Sequence, residues 1–233
     1  MNKKYILILF LALSLVFGCN SNKEAQSENS DSTVGIDNSN KVNPYGKFGI
    51  DDSKGVPTGL AVGDKVSGFA GRDIFRETVD LYSILKTKPV VIVFYRGKWC
   101  PNCNRHISNF SDSVKFIMAK GVHVIAITPE TIDNAKEFAK NTEANFSIFS
   151  DPGGNIMRAY KVAFSVTEEY QSKIQESHNV SIAANNGADN AKLPVPATYI
   201  ISKEGIVEYV HFDMDYKNRA SVKEILKQLD AVL

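Results

Sequence analysis

The sequence is poor in cysteine, with three among 233 residues, at positions 19, 100 and 103. So few thiols exclude a disulfide-rich scaffold, and they leave little scope for any bridge except one between Cys100 and Cys103. An excess of charge of one sign is also missing. Lys and Arg number 27 against 26 Asp and Glu, with no basic block and no basic stripe interleaved with aromatics, which argues against a nucleic-acid partner. Nor is there a long hydrophobic run: YILILFLALSLVF, residues 5–17, falls short of the about 20 apolar residues a membrane-spanning helix needs. No internal repeat is evident.

The short apolar run has the layout of an export signal, with Lys3 and Lys4 before it and Gly18 after it. The segment VFGC, residues 16–19, resembles a bacterial lipobox, in which the cysteine is lipidated and becomes the mature N-terminus. That resemblance implies a signal peptide at 1–18, a lipid anchor on Cys19, and an exported, membrane-tethered protein facing the periplasm. The alternative is an ordinary secretory signal with Cys19 incidental. Residues 20–54, with stretches such as SNKEAQSENSDS and DNSNK, carry too little apolar surface to offset their ordering entropy. A flexible stalk is therefore expected over 19–54, followed by one globular domain at 55–233.

Periodicity within that domain predicts an α/β fold. KPVVIVFY (88–95) and GVHVIAIT (121–128) are short β-branched runs of the kind buried on both faces of a sheet. Between them Ile107, Phe110, Val114 and Ile117 recur at helical spacing, giving a helix over about 101–119 with Gly121 just past its end. A right-handed crossover makes the two strands parallel. A second helix is expected over 131–142, and a short one through Met157 and Tyr160 follows the Asp151-Pro152-Gly153-Gly154 turn. ATYIIS (197–202) and IVEYVHF (206–212) read as a hairpin, and Ser221 with Glu224 fits a capping box opening a last helix. Parallel βαβ followed by antiparallel ββα gives a mixed sheet flanked by helices, the thioredoxin-like arrangement.

The dithiol lies in FYRGKWCPNCNRHI, residues 94–107, where a strand passes into a helix. Pro101 suits the first helical position, whose N–H has no helical partner. Free N–H groups and the helix dipole there favour a thiolate at Cys100, whereas Cys103 sits one turn in and should be the more buried sulfur. A bridge closing so short a loop constrains the unfolded chain little, which favours reversible redox work over a structural staple. Cys100, Cys103 and His106 also have C-x2-C-x2-H spacing, but His123, His178 and His211 offer no local fourth ligand. Zinc is therefore the weaker reading. The dithiol chemistry itself calls for no cofactor.

Five stretches, GLAVGDKVSGF (59–69), VIVFYRGKWCPNC (91–103), VIAITPET (124–131), SDPGG (150–154) and LPVPATYIISKEGIVEYVHF (193–212), together resemble the peroxiredoxin-like redoxins. These are the alkyl hydroperoxide reductase and thiol-specific antioxidant (AhpC/TSA) branch of the thioredoxin superfamily. The resemblance implies thiol-based redox activity, a thioredoxin-fold reductant, and a cis peptide at Pro196 facing the thiols. Its P-x-x-x-T-x-x-C pattern, laid on Cys103, puts Arg96 in the place of Pro and Cys100 in the place of Thr. Cys103 would then attack a peroxide; thioredoxin logic instead makes Cys100 the attacker, and both assignments stay open. Arg96 is either a charge beside the thiolate or a solvated loop residue, and Trp99 either covers the thiols or simply packs. The leading expectation is a peroxide-reducing enzyme cycling through a Cys100–Cys103 disulfide. The alternatives are a membrane-tethered oxidoreductase of protein disulfides and a non-enzymatic metal-binding lipoprotein. Residues 165–192 either border the site or form a mobile insertion.

Overall fold

The computed structural model describes residues 42–232, so the expected export signal and Cys19 lie outside the described residues. In chain order the elements are β1 (Ala70–Arg72), β2 (Thr78–Asp80), α1 (Leu81–Leu85), β3 (Val90–Phe94), α2 (Pro101–Met118), β4 (His123–Thr128), α3 (Ile132–Asn141) and β5 (Ser147–Ser150). They continue with α4 (Asn155–Ala159), β6 (Ala163–Ser165), α5 (Glu168–His178), α6 (Ile182–Asn185), β7 (Lys192–Pro194), β8 (Ala197–Ile201), β9 (Val207–Phe212) and α7 (Val222–Val232).

The central sheet runs β5-β4-β3-β8-β9. β3 pairs parallel with β4 and antiparallel with β8, and β8 and β9 form the expected hairpin. All five side chains of β3 are buried because both sheet faces are covered. Val91, Val93 and Tyr95 share a core with Ile107, Phe110 and Val114 of α2 and with Ile225 and Leu229 of α7. Val90, Ile92 and Phe94 join Leu81 and Leu85 of α1 and Met157 of α4 on the other face. Each such aliphatic side chain contributes about 1.5–3 kcal/mol on burial, which is why the unbroken apolar runs became the central strands. At the start of α7 only half of the expected capping box forms. Ser221 Oγ accepts from Glu224 N, but the Glu224 carboxylate instead accepts from Tyr209 Oη at 2.8 Å.

Two expectations are corrected. Residues 42–54, read as stalk, belong to the folded unit: Ile50 is 0% exposed and bridges to Val166, and Asp51 N donates to Ser165 O. Gly49, at φ 88°, lies so close under the Tyr170 ring that a Cβ would approach it to 2.7 Å. One buried isoleucine in a polar stretch leaves no local pattern, because its partners lie more than a hundred residues away. The peptide bond at Pro196 is trans, as are all bonds among the described residues. Pro194 pairs with Ala163 and Val195 N donates to Val162 O, so the chain enters β8 as extended strand and keeps the isomer an X–Pro bond ordinarily prefers.

Candidate active site

The site is assembled at the C-terminal ends of β3 and β4. After Phe94 the chain is held by Tyr95 N donating to Ile127 O, and then turns at Gly97. Gly97 has φ 147°, and a Cβ there would stand 2.8 Å from both Glu130 Oε1 and Trp99 Nε1, so only glycine fits this crossing. Cys100 is the N-cap of α2, with extended φ and ψ, and Pro101 occupies the first turn as expected. Asn104 Nδ2 donates to the carbonyls of Lys98 and Cys100 and fixes the turn.

Both cysteines are free thiols, at 1% exposure for Cys100 and 0% for Cys103. Cys100 is therefore not the exposed sulfur that its place at a helix start suggests. Residues of α5 and α6 cover the loop that carries it. Tyr170 Oη meets Arg96 Nη2 at 2.6 Å, the His178 ring lies 6.4 Å from that of Trp99, and Asn185 Nδ2 donates to Glu130 Oε1 at 2.9 Å. The segment 165–192 thus borders the site.

Of the two sulfurs, Cys103 has the surroundings that favour a thiolate. The Cys100 thiol donates its proton to Cys103, and this bond together with burial raises the Cys100 pKa. Burial works against ionising Cys103 too, but the bond from Cys100 and the positive charges of Arg219 and Arg96 outweigh it and hold Cys103 well below the usual thiol range. Arg219 Nη2 lies 3.5 Å from Cys103 Sγ, and its Nε donates to Tyr216 O. Arg96 is only 1% exposed, so the solvated-loop reading is excluded. Its guanidinium lies 4.1 Å from the Tyr216 ring, 5.0 Å from Trp99 and 5.3 Å from Tyr170. Neither arginine pairs with a carboxylate among the described residues, whose ion pairs are all made by lysines. Two guanidiniums therefore act on the Cys103 sulfur, and both favour its thiolate form.

A buried carboxyl completes the cluster. Glu130 Oε1 accepts from Lys98 N at 2.8 Å and from Asn185, while burial, only partly offset by those bonds, pushes its pKa up to about 7. The Cys103 charge raises it further.

The sequence reading placed Cys100, Cys103, Arg96, Trp99 and Pro101 together, and the structure brings them together. Pro196 stands one residue beyond the Ala197–Phe94 pair, at the same end of the sheet. Arg219, Tyr170 and Glu130 were missed. Glu130 was detectable, since ligand-facing residues in open α/β sheets gather past the carboxyl ends of adjacent strands. Nothing local marks Arg219 or Tyr170. Among the described residues no three His, Cys, Asp or Glu side chains converge as a metal site requires.

A thioredoxin fold with a buried, reduced dithiol at the start of a helix defines a thiol-based oxidoreductase. The sequence profile of the AhpC/TSA family matches residues 62–210, and the chain belongs to that family, the peroxiredoxin-like redoxins. It is 25% identical over 173 residues to the chloroplastic peroxiredoxin Q of Oryza sativa subsp. japonica, covering 74% of this chain and 68% of the relative. It is 28% identical over 104 residues to the thiol-disulfide oxidoreductase ResA of Bacillus thuringiensis subsp. konkukian (strain 97-27), covering 44% and 59%. Among solved structures, peroxidoxin BcpB of Mycobacterium tuberculosis superposes with a TM-score of 0.56 at 20% identity, over 74% of this chain and 97% of that one.

Proposed function

We propose that this protein reduces peroxides, with Cys103 as the attacking thiolate and Cys100 as the resolving thiol. The observation that carries the reading is a Cys103 sulfur with no exposed surface, 3.5 Å from the Arg219 guanidinium. A protein disulfide needs a sulfur it can reach in line, and neither cysteine offers one while α5 and α6 cover the loop; a peroxide needs far less room. In the first step sulfur takes one peroxide oxygen as the O–O bond breaks, giving a sulfenic acid on Cys103. The Cys100 thiol then displaces water to form the disulfide, and an external dithiol of the thioredoxin type restores both thiols.

The test mixes reduced protein separately with hydrogen peroxide and with a disulfide-bonded protein. Peroxide should oxidise the wild type far faster than an unperturbed thiol, and Cys103→Ser should lose that reaction entirely. Cys100→Ser should stop at a sulfenic acid that dimedone traps. Faster reaction with the protein disulfide, or peroxide reactivity surviving in Cys103→Ser, overturns the reading. From the lipobox-like segment at 16–19 we further propose that the enzyme is exported and lipid-anchored through Cys19. A mature N-terminus elsewhere by mass spectrometry would refute that.

A further inference from the structure

Neither cysteine is more than 1% exposed, yet the proposed cycle closes only when a second protein's dithiol reaches the Cys100–Cys103 disulfide. An attacking thiolate must approach a disulfide sulfur in line with the S–S bond, so a covering element has to move. α2 need not unwind for that disulfide to form, since its two cysteines are one turn apart. The cover is the excursion from Val166 to Ala191, which leaves β6 and returns on β7. Those strands pair with each other, and Val166 N donates to Ala191 O, so the two ends of the excursion are fixed together. Ile50 bridges to Val166 and holds the same base. Beyond the base the hold is slight. α5 and α6 bury only Tyr170, Ile174 and Ile182 as large apolar side chains, the pattern of a segment that opens at low cost. They meet the loop through the Tyr170–Arg96 and Asn185–Glu130 hydrogen bonds and the His178 ring beside Trp99.

What lies under this cover depends on the state of the sulfurs. Arg96 has Nε and Nη1 buried without partners among the described residues. The acidic groups acting on its guanidinium are Cys100, Tyr170 and Cys103, and it makes no ion pair with a described carboxylate. A thiolate on Cys103 therefore offsets a cation that is costly to keep from water. A disulfide is neutral and withdraws that offset.

We propose that the α5–α6 excursion is a redox-operated gate, closed over the reduced dithiol and opened by the uncompensated charge of Arg96 once Cys100 and Cys103 are joined. For its partners the inference rests on the peroxidase reading above. Closed, the reduced protein admits a peroxide and excludes protein disulfides. Open, the oxidised protein admits a protein dithiol. The partner's thiolate attacks one sulfur of the disulfide, the S–S bond breaks, and the other sulfur leaves as a thiolate. The partner's second thiol then displaces the first from the mixed disulfide and completes the partner's own disulfide. Two electrons pass to this protein, one proton goes to Cys100 and one to solvent, and the thiolate re-formed at Cys103 closes the gate.

Hydrogen–deuterium exchange of the full-length protein, read by mass spectrometry, follows the gate directly. One sample is kept reduced and one is oxidised with diamide to the intramolecular disulfide, so no step depends on peroxide. Amides of residues 168–185 should exchange at least about tenfold faster in the disulfide form, while those of 107–118 in α2 stay within about twofold. Arg96→Met, which removes the charge and keeps a long side chain, should bring the two redox states within about twofold of each other. Arg96→Lys, which keeps a charge, should retain most of the difference. Equal exchange of 168–185 in the two wild-type states overturns the gate, whether or not Arg96→Met folds. Loosening of α2 in place of α5 and α6, or the full redox difference surviving in a folded Arg96→Met protein, overturns it too. Opening as described in a protein that reacts no faster with peroxide than a free thiol would leave the gate standing and defeat the peroxidase reading alone.

Discussion

The two sides of Cys103 are built differently. On one side Arg96, Trp99, Tyr170 and Glu130 form a sealed layer, with aromatic rings around a guanidinium and a carboxyl pushed toward neutrality by burial. On the other side lie Arg219, with two nitrogens engaged and Nη1 unpartnered, and His106, with Nε2 engaged and Nδ1 unpartnered. The sealed side keeps water and large partners away and strengthens every charge interaction inside it. The other side is held by a guanidinium and an imidazole, each with one buried nitrogen left without a partner. A thiolate gains from this enclosure, because exposure to water would weaken the electrostatic hold on its charge.

The largest effect should come from the sealed side. Glu130 is raised from its ordinary 4.5 to about 7, worth about 3 kcal/mol at roughly 1.4 kcal/mol per unit. A raised carboxyl binds its proton more tightly in the folded state. Its stabilising contribution is therefore full below about pH 4.5 and lost as pH rises through about 7. Denaturant unfolding of the reduced protein should show this decline in the wild type relative to Glu130→Gln, whose amide keeps the oxygen facing Lys98 N. Parallel pH profiles would mean the carboxyl is already charged and the layer is not sealed.

The other side comes next. Arg219→Met removes the charge 3.5 Å from Cys103 Sγ and should cost the thiolate about 2 kcal/mol, the range of a hydrogen bond to a charged group. Ultraviolet titration of the thiolate should move upward in pH, and peroxide oxidation near neutrality should slow by about tenfold or more. Arg96→Met should raise the Cys103 pKa less while leaving stability equal or higher, because a buried charge without a carboxylate is costly to keep. A larger kinetic loss from Arg96 than from Arg219 would reverse the roles of the two sides. The smallest effect is that of Tyr170→Phe, which deletes the 2.6 Å bond to Arg96. At about 1 kcal/mol, a bulky maleimide should label the dithiol roughly fivefold faster, with the iodoacetamide rate little changed.

The frame was legible in the sequence because its signals are local. The apolar runs that became β3 and β4, the stripe Ile107, Phe110, Val114 on α2, and the turn before β9 each encode their own conformation within a few residues. The covering segment was not legible. α5, with the sequence EEYQSKIQESH, buries only Tyr170 and Ile174, too weak a stripe to announce a helix. The burial of Ile50 was hidden for the same reason, since its partner Val166 belongs to that segment. The trans bond at Pro196 shows the limit of resemblance: similar stretches carried the fold across, but the local isomer depends on how β7 leads into β8.

By itself the sequence determined the mixed sheet, the helix, and the position of Cys100 and Cys103 at their junction, since hydrophobic periodicity and a proline at the first helical position act over a few residues. Only the tertiary structure decided which sulfur has surroundings that favour a thiolate. That choice depends on Arg219, 116 positions along the chain from Cys103, and on Arg96 being closed off by Tyr170, 74 positions away. Coulomb and hydrogen-bond energies depend on distances in space, and those distances exist only once the chain has folded.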